Sequence, residues 1–203
     1  MSKQIYDIRI TTSPVNWEEI PALSVSEYSW GCAYRPEMTA KVAFVPGEGF
    51  YVKTRCAEEN PRATYTAPNS PVCRDSCMEF FAAFDPTRPE IYINYEINAN
   101  GCALVQFGTT DDRPFIDELG CKMPTPKAYR EDGYWGWELF ISLEVLDKLF
   151  GKIEYKDGSV IRANVFKCGD DTAEKHYGSW QPIDWPYPSF HRPQFFGEMY
   201  LRG

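Results

Sequence analysis

The 203-residue chain has only two histidines, His176 and His191, and their separation matches no compact zinc motif. Its seven cysteines include no C-x-x-C pair, and no run is apolar for the length of a membrane span. Basic residues are outnumbered, 21 against 29, for a formal charge of −8, and they form no block. An acidic chain of this kind is repelled by phosphate backbones, so nucleic acid is excluded as a partner, and the missing apolar run excludes a membrane. There is no glycine-rich phosphate loop, no G-x-S-x-G, no EF-hand spacing, no internal repeat and no low-complexity segment. The start, M-S-K-Q-I-Y-D-I-R-I, lacks an apolar run fit for export. With an odd cysteine count, this points to a cytoplasmic setting with free, mostly buried thiols, unless an export signal has been removed.

What remains is suited to a β-rich core. Hydrophobic residues make up 43% and aromatics 16%, while 16 prolines and 14 glycines are spread along the chain. That spread favours many turns and short strands over long helices. Tyr6, Ile8 and Ile10 alternate with polar neighbours as a first strand. Thr39–Val45 and Phe50–Cys56 flank the turn residues Pro46 to Gly49 as a hairpin. Further strands are expected at 77–84, 91–98, 102–107, 134–141, 160–168 and 195–201. Ser142 precedes a short helical run that Gly151 ends. The stretches 57–72, 111–130 and 170–188 read as long irregular connections. About nine strands and one or two short helices predict an all-β fold, an antiparallel, jelly-roll-like β-sandwich. One domain over 1–203 is expected, with 1–38 contributing a strand and an irregular extension.

The chain is organised around Asp75–Asn98. In its second strand Ile91, Ile93, Tyr95 and Ile97 point inward, and Tyr92, Asn94, Glu96 and Asn98 point outward. In its first strand Glu79 stands on a mostly covered face, where a carboxylate needs a partner. Paired as a hairpin, the strands bring Glu79 near the polar row, and these groups suit a ligand rich in hydroxyls. A hydrolase reading needs two carboxylates about 5 to 9 Å apart, and Glu79 with Glu96 is the available pair.

A second lead is H-Y-G-S-W-Q-P-I-D-W-P-Y-P-S-F-H-R-P, which gathers His176, Trp180, Trp185 and Arg192 with further rings. Indoles cover the C–H faces of sugars, and carboxylates, amides and arginines hold the edges. Trp180 serves either as such a platform or as a core plug; Trp185, between Asp184 and Pro186, reads first as structural. The histidines with Asp170, Asp171 or Asp184 offer transition-metal donors, and oxygen-rich loops leave a structural calcium open without assignable ligands.

Three segments in order carry a family resemblance: R-D-S-C-M-E-F-F at Arg74–Phe81, Y-I-N-Y-E-I-N-A-N-G at Tyr92–Gly101, and the closing H-Y-G-S-W…F-H-R-P-Q-F-F-G-E-M-Y-L. From about Thr39 to Leu201 the chain resembles the family 9 carbohydrate-binding modules and their free-standing relatives. The resemblance implies a β-sandwich that binds carbohydrate without catalysis. In the founding type, the end of a glucan or xylan chain is held between two tryptophans, with calcium in structural roles. It implies that Glu79 bonds the sugar, that Trp180 is one stacking indole and that Asn94 is the expected amide. Two positions depart: Cys73 stands where the other indole belongs, and Tyr92 where an arginine belongs. The 178–192 insertion either supplies a substitute ring, such as Trp185 or Tyr187, or fills the groove. A protein-interaction domain that has lost the sugar site is the remaining alternative. The oligomeric state is left open.

Overall fold

A computed structural model describes residues 4–203. The first three residues, part of the stretch read for an export signal, lie outside the described residues. The strands are β1 (Ile5–Ile10), β2 (Leu23–Val25), β3 (Met38–Val45), β4 (Gly49–Ala57), β5 (Cys77–Ala83), β6 (Tyr92–Asn98), β7 (Ala103–Gly108), β8 (Lys127–Glu131), β9 (Tyr134–Ser142), β10 (Val160–Gly169), β11 (His176–Ser179) and β12 (Gly197–Arg202). One helix, α1 (Leu143–Phe150), follows β9, with Ser142 accepting from the Val145 amide at its start and Gly151 at its end. The twelve strands exceed the nine expected because β2, β8 and β11 are short segments that longer neighbours recruit.

The strands form one continuous curled sheet in the order β7-β6-β5-β10-β12-β1-β3-β4-β9-β8, with β11 on β10 and β2 on β3. Pairing is antiparallel except at β1, which runs parallel to both β12 and β3. The sheet folds over so that its two halves face each other across one core. Met78, Phe80, Ile93, Tyr95, Ile161 and Val165 meet Val42, Phe50, Val52, Trp135, Trp137 and Leu139 there. Phe50 and Phe84 touch across the layers with ring centroids 4.9 Å apart. Burying a large apolar side chain stabilises by about 1.5–3 kcal/mol, so this row-against-row contact is the main source of stability.

The inward and outward rows of β5 and β6 fall as their alternation requires. Met78, Phe80, Ala82, Ile93, Tyr95 and Ile97 enter the main core. Cys77, Glu79, Phe81, Tyr92, Asn94, Glu96 and Asn98 therefore share the opposite face of the sheet. The 57–72 connection is pinned beneath this ribbon's end. The Asp75 carboxylate accepts from the Thr64 and Tyr65 amides, the Thr64 hydroxyl and Asn98 Nδ2 at 2.8–3.0 Å, and it pairs with Arg62 at 3.3 Å.

Candidate functional site

On the outer face, Glu79 of β5 lies directly opposite Glu96 of β6 and Phe166 of β10. Glu79 is 2% exposed and Glu96 5%. Cys168 Sγ donates to Glu79 Oε1 at 3.0 Å, and Asn94 Nδ2 donates to Glu96 Oε1 at 3.1 Å. Burial, reinforced by the neighbouring Glu96, holds the Glu79 carboxyl well above its ordinary range, and burial also raises Glu96. Two buried carboxyls facing each other do not both ionise at neutral pH. Asn94 Oδ1 is buried and has no hydrogen-bond partner among the described residues. Asn98 is spent on local structure: its amide donates to Tyr65 O and Asp75, and its oxygen accepts from the Asn100 and Cys102 amides. It closes the turn into β7 and anchors the loop.

This face is filled. From the loop after β11, Phe190 stacks on Phe166 with centroids 4.2 Å apart and planes 9° apart. His191 lies over Phe81 at 4.9 Å, and its Nδ1 is 3.0 Å from the Tyr92 hydroxyl. Tyr92, expected to meet ligand, is fully buried among Phe81, Phe166 and Phe196. Burial, then the charges of Arg113 and Arg192, lowers His191 to about 3, so its 3.9 Å approach to Glu96 is not an ion pair at neutral pH. The insertion thus fills the groove over Phe81 and Phe166. Glu79 and Glu96 are also withdrawn from a hydrolase role, because a glycosidic bond cannot reach sealed carboxyls.

Trp180 requires a correction. It is 2% exposed and belongs to the main core, on the other side of the sheet from Glu79. The cause is the period of two. Ser179 pairs with Phe166 and shares the outer face, so Trp180, one residue on, turns inward, its amide donating to Val165 O. It is a plug, not a platform. His176 likewise points inward and is fully buried. Its Nδ1 donates to Glu174 O at 2.7 Å, which leaves Nε2 to accept from Lys167 Nζ at 2.8 Å. Burial and the Lys167 charge lower it to about 4. Neither histidine joins Asp170 or Asp171, which instead meet the Tyr177 hydroxyl at 2.6 Å and Arg74 at 3.0 Å. Arg192 is stacked on Trp185, with its guanidinium carbon 3.8 Å from the ring centroid.

Open surface lies beside the loop rather than over the ribbon. One hollow of about 720 Å³ is bordered by Glu27, Ser29, Arg35, Gln181, Asp184 and Trp185. A second, of about 730 Å³, is bordered by Trp30, Cys32, Lys175, Tyr177, Trp185 and Tyr187. Trp185 borders both. Tyr187, 55% exposed, meets Trp185 edge-on at 6.0 Å. Trp30 Nε1 donates to Trp185 O at 2.8 Å and fixes the loop to the segment after β2. Trp185 and Tyr187, the rings that the sequence offered as substitutes in the 178–192 insertion, form this ridge, apart from the polar row with which they were grouped. The signal that locates it is the P-Y-P around Tyr187, where two prolines leave a ring with no strand to pack into.

The fold and these surfaces define a β-sandwich binding module. The chain belongs to carbohydrate-binding family 9, whose family model spans residues 6–201. No curated protein sequence matches it. Among solved structures, a presumed carbohydrate-binding protein of Bacteroides uniformis is 23% identical, with a TM-score of 0.83 over 99% of this chain and 100% of that one. A family 9 module of Caldicellulosiruptor kristjanssonii in complex with cellotriose is 15% identical, with a TM-score of 0.69 over 98% of this chain and 94% of that one. In complex with glucose, that organism's module gives 14% and 0.71, over 98% and 96%. At these identities the likeness shows the fold.

Proposed function

We propose that this chain binds carbohydrate without catalysis, and that it does so on the Trp185–Tyr187 ridge rather than over Glu79. Family membership and the two sugar-bound structures from Caldicellulosiruptor support the ligand class. The observation that carries the site is the aromatic ridge between two hollows with carboxylate, hydroxyl and guanidinium groups on their rims. Rings take the apolar faces of a pyranose, and the rim groups take its hydroxyls. Calorimetric titration with cello- and xylo-oligosaccharides tests it. Tyr187→Ala weakens binding roughly tenfold, about the worth of one stacked ring. Glu96→Gln, under the filled groove, leaves it unchanged. Loss in Glu96→Gln with retention in Tyr187→Ala would return the site to the ribbon. The packing of Phe190 on Phe166 favours one second reading, a protein-interaction domain with the sugar site lost, and absence of heat with every sugar selects it.

A further inference from the structure

Cys77 and Cys168 stand directly opposite each other on β5 and β10, and Glu79 follows Cys77 on the same face. One donor atom from each lies within 4.8 Å of the other two, and all three residues are buried. The Cys168 thiol donates to Glu79 Oε1 at 3.0 Å, and the Cys77 thiol beside it is directed at the Met78 carbonyl at 3.9 Å. The turn at Val72–Arg74 closes over the cluster. Cys73 O accepts from the Asp170 amide at 3.1 Å and lies 3.6 Å from Cys168 Sγ. The Cys73 side chain, half-buried, borders the same cluster.

We infer that Cys77, Cys168 and Glu79 form a site for a thiophilic divalent cation of the zinc class, with Cys73 beside the fourth position. Two thiolates beside one carboxylate suit such an ion, whereas calcium and magnesium take oxygen donors and not thiolates. Sulfurs on a tetrahedral zinc stand about 3.8 Å apart, from Zn–S bonds of about 2.3 Å, so the three donors need only small rotamer changes to converge. The charge balance favours the same occupant. Glu79 has a second carboxyl, Glu96, directly across on the neighbouring strand, and a thiol donates to it. A buried anion in that setting needs a cation or a proton. Without metal, protons held on the thiols and Glu79 supply the neutrality. Binding releases those protons to solvent and replaces them with the ion.

The test is cobalt(II) titration of the reduced full chain, followed in the visible and near-ultraviolet. The expected result is a thiolate-to-cobalt charge-transfer band with tetrahedral d–d bands, saturating near about one equivalent and displaced by zinc. Cys77→Ser/Cys168→Ser abolishes the bands. Glu79→Gln shifts them and weakens binding by roughly tenfold or more. Cys121→Ser, whose thiol lies elsewhere, changes nothing. If the double variant does not fold, Glu79→Gln alone decides by the band shift. Absence of a thiolate band in the reduced wild-type chain overturns the proposal. So do bands unaffected by these substitutions, or oxidation to a Cys77–Cys168 disulfide in a chain that binds no cobalt.

Discussion

Replacing Lys167 with methionine removes a charge and keeps most of the volume of the stem. Lys167 is fully buried at the end of the inward row of β10. Its three N–H bonds have three acceptors: Cys168 O at 3.0 Å, His176 Nε2 at 2.8 Å and the Glu58 carboxylate at 3.3 Å. Glu58 also accepts from Ser76 Oγ at 2.7 Å and Trp135 Nε1 at 2.9 Å. Burial pushes its carboxyl up, but Lys167 and these donors outweigh burial and hold it below the ordinary value. Lys167→Met leaves that carboxylate with neutral partners and orphans the His176 lone pair. Removing one partner of a buried pair costs about 3–5 kcal/mol. For a domain of this length that lowers the melting temperature by roughly 6–20 °C. Circular dichroism melts and urea titrations measure it. Lys167→Met/Glu58→Gln recovers part of the loss, since the uncompensated charge goes with the second change, and the coupling should reach about 1–3 kcal/mol. A single variant within about 1 kcal/mol of wild type, or a double variant no better than the single, would refute the assignment of the cost to stranded charge.

Acid should destabilise the fold through His176. Its folded pKa, about 4, lies below the unfolded 6.5. The unfolded chain therefore takes up a proton first as pH falls. The His176 contribution to stability is whole above about pH 6.5 and falls by about 3 kcal/mol by pH 4. Urea unfolding at pH 7 and pH 4.5 measures the drop, and His176→Gln removes this contribution to it. Trp180→Ala should cost about 3–5 kcal/mol in stability, as expected for a core indole, with sugar affinity unchanged wherever the variant remains folded. A variant of full stability that has lost sugar binding would reinstate Trp180 as a platform.

The rows of β6, β9 and β10 were legible because each alternates over seven or more residues and one row enters the main core, while β5 was legible as a central strand because both its faces are largely apolar. So was α1, through Ser142 and Gly151. Even the inward Lys167 could be read, since it extends the row of Ile161, Ala163 and Val165. Its partner Glu58 could not, because nothing local in a polar connection shows that Lys167 will lie beside it. Trp180 failed for a related reason. β11 is four residues long and takes its register from β10, so the face of the next residue depends on a pairing distant in sequence. The polar row of β6 was assigned to the right face, but exposure is decided by what covers a face. Phe190 and His191 reach it from about a hundred residues further along, by a loop whose path has no periodic signature.

The place of β12 between β10 and β1 has a consequence for assembly. Along the hydrogen-bonded path, β12 and β1 are the seam between the half that holds Glu79 and the half that holds Trp137. The parallel pair they form joins residues near opposite ends of the described chain, from Ile5 with Glu198 to Arg9 with Arg202. The halves become one continuous sheet only when β12 has been made and has paired with β1, a contact of very high sequence separation, whose loop-closure cost is correspondingly large. A chain clipped before Gly197 would leave two half-sheets with raw facing edges, each a template for the missing segment of another copy.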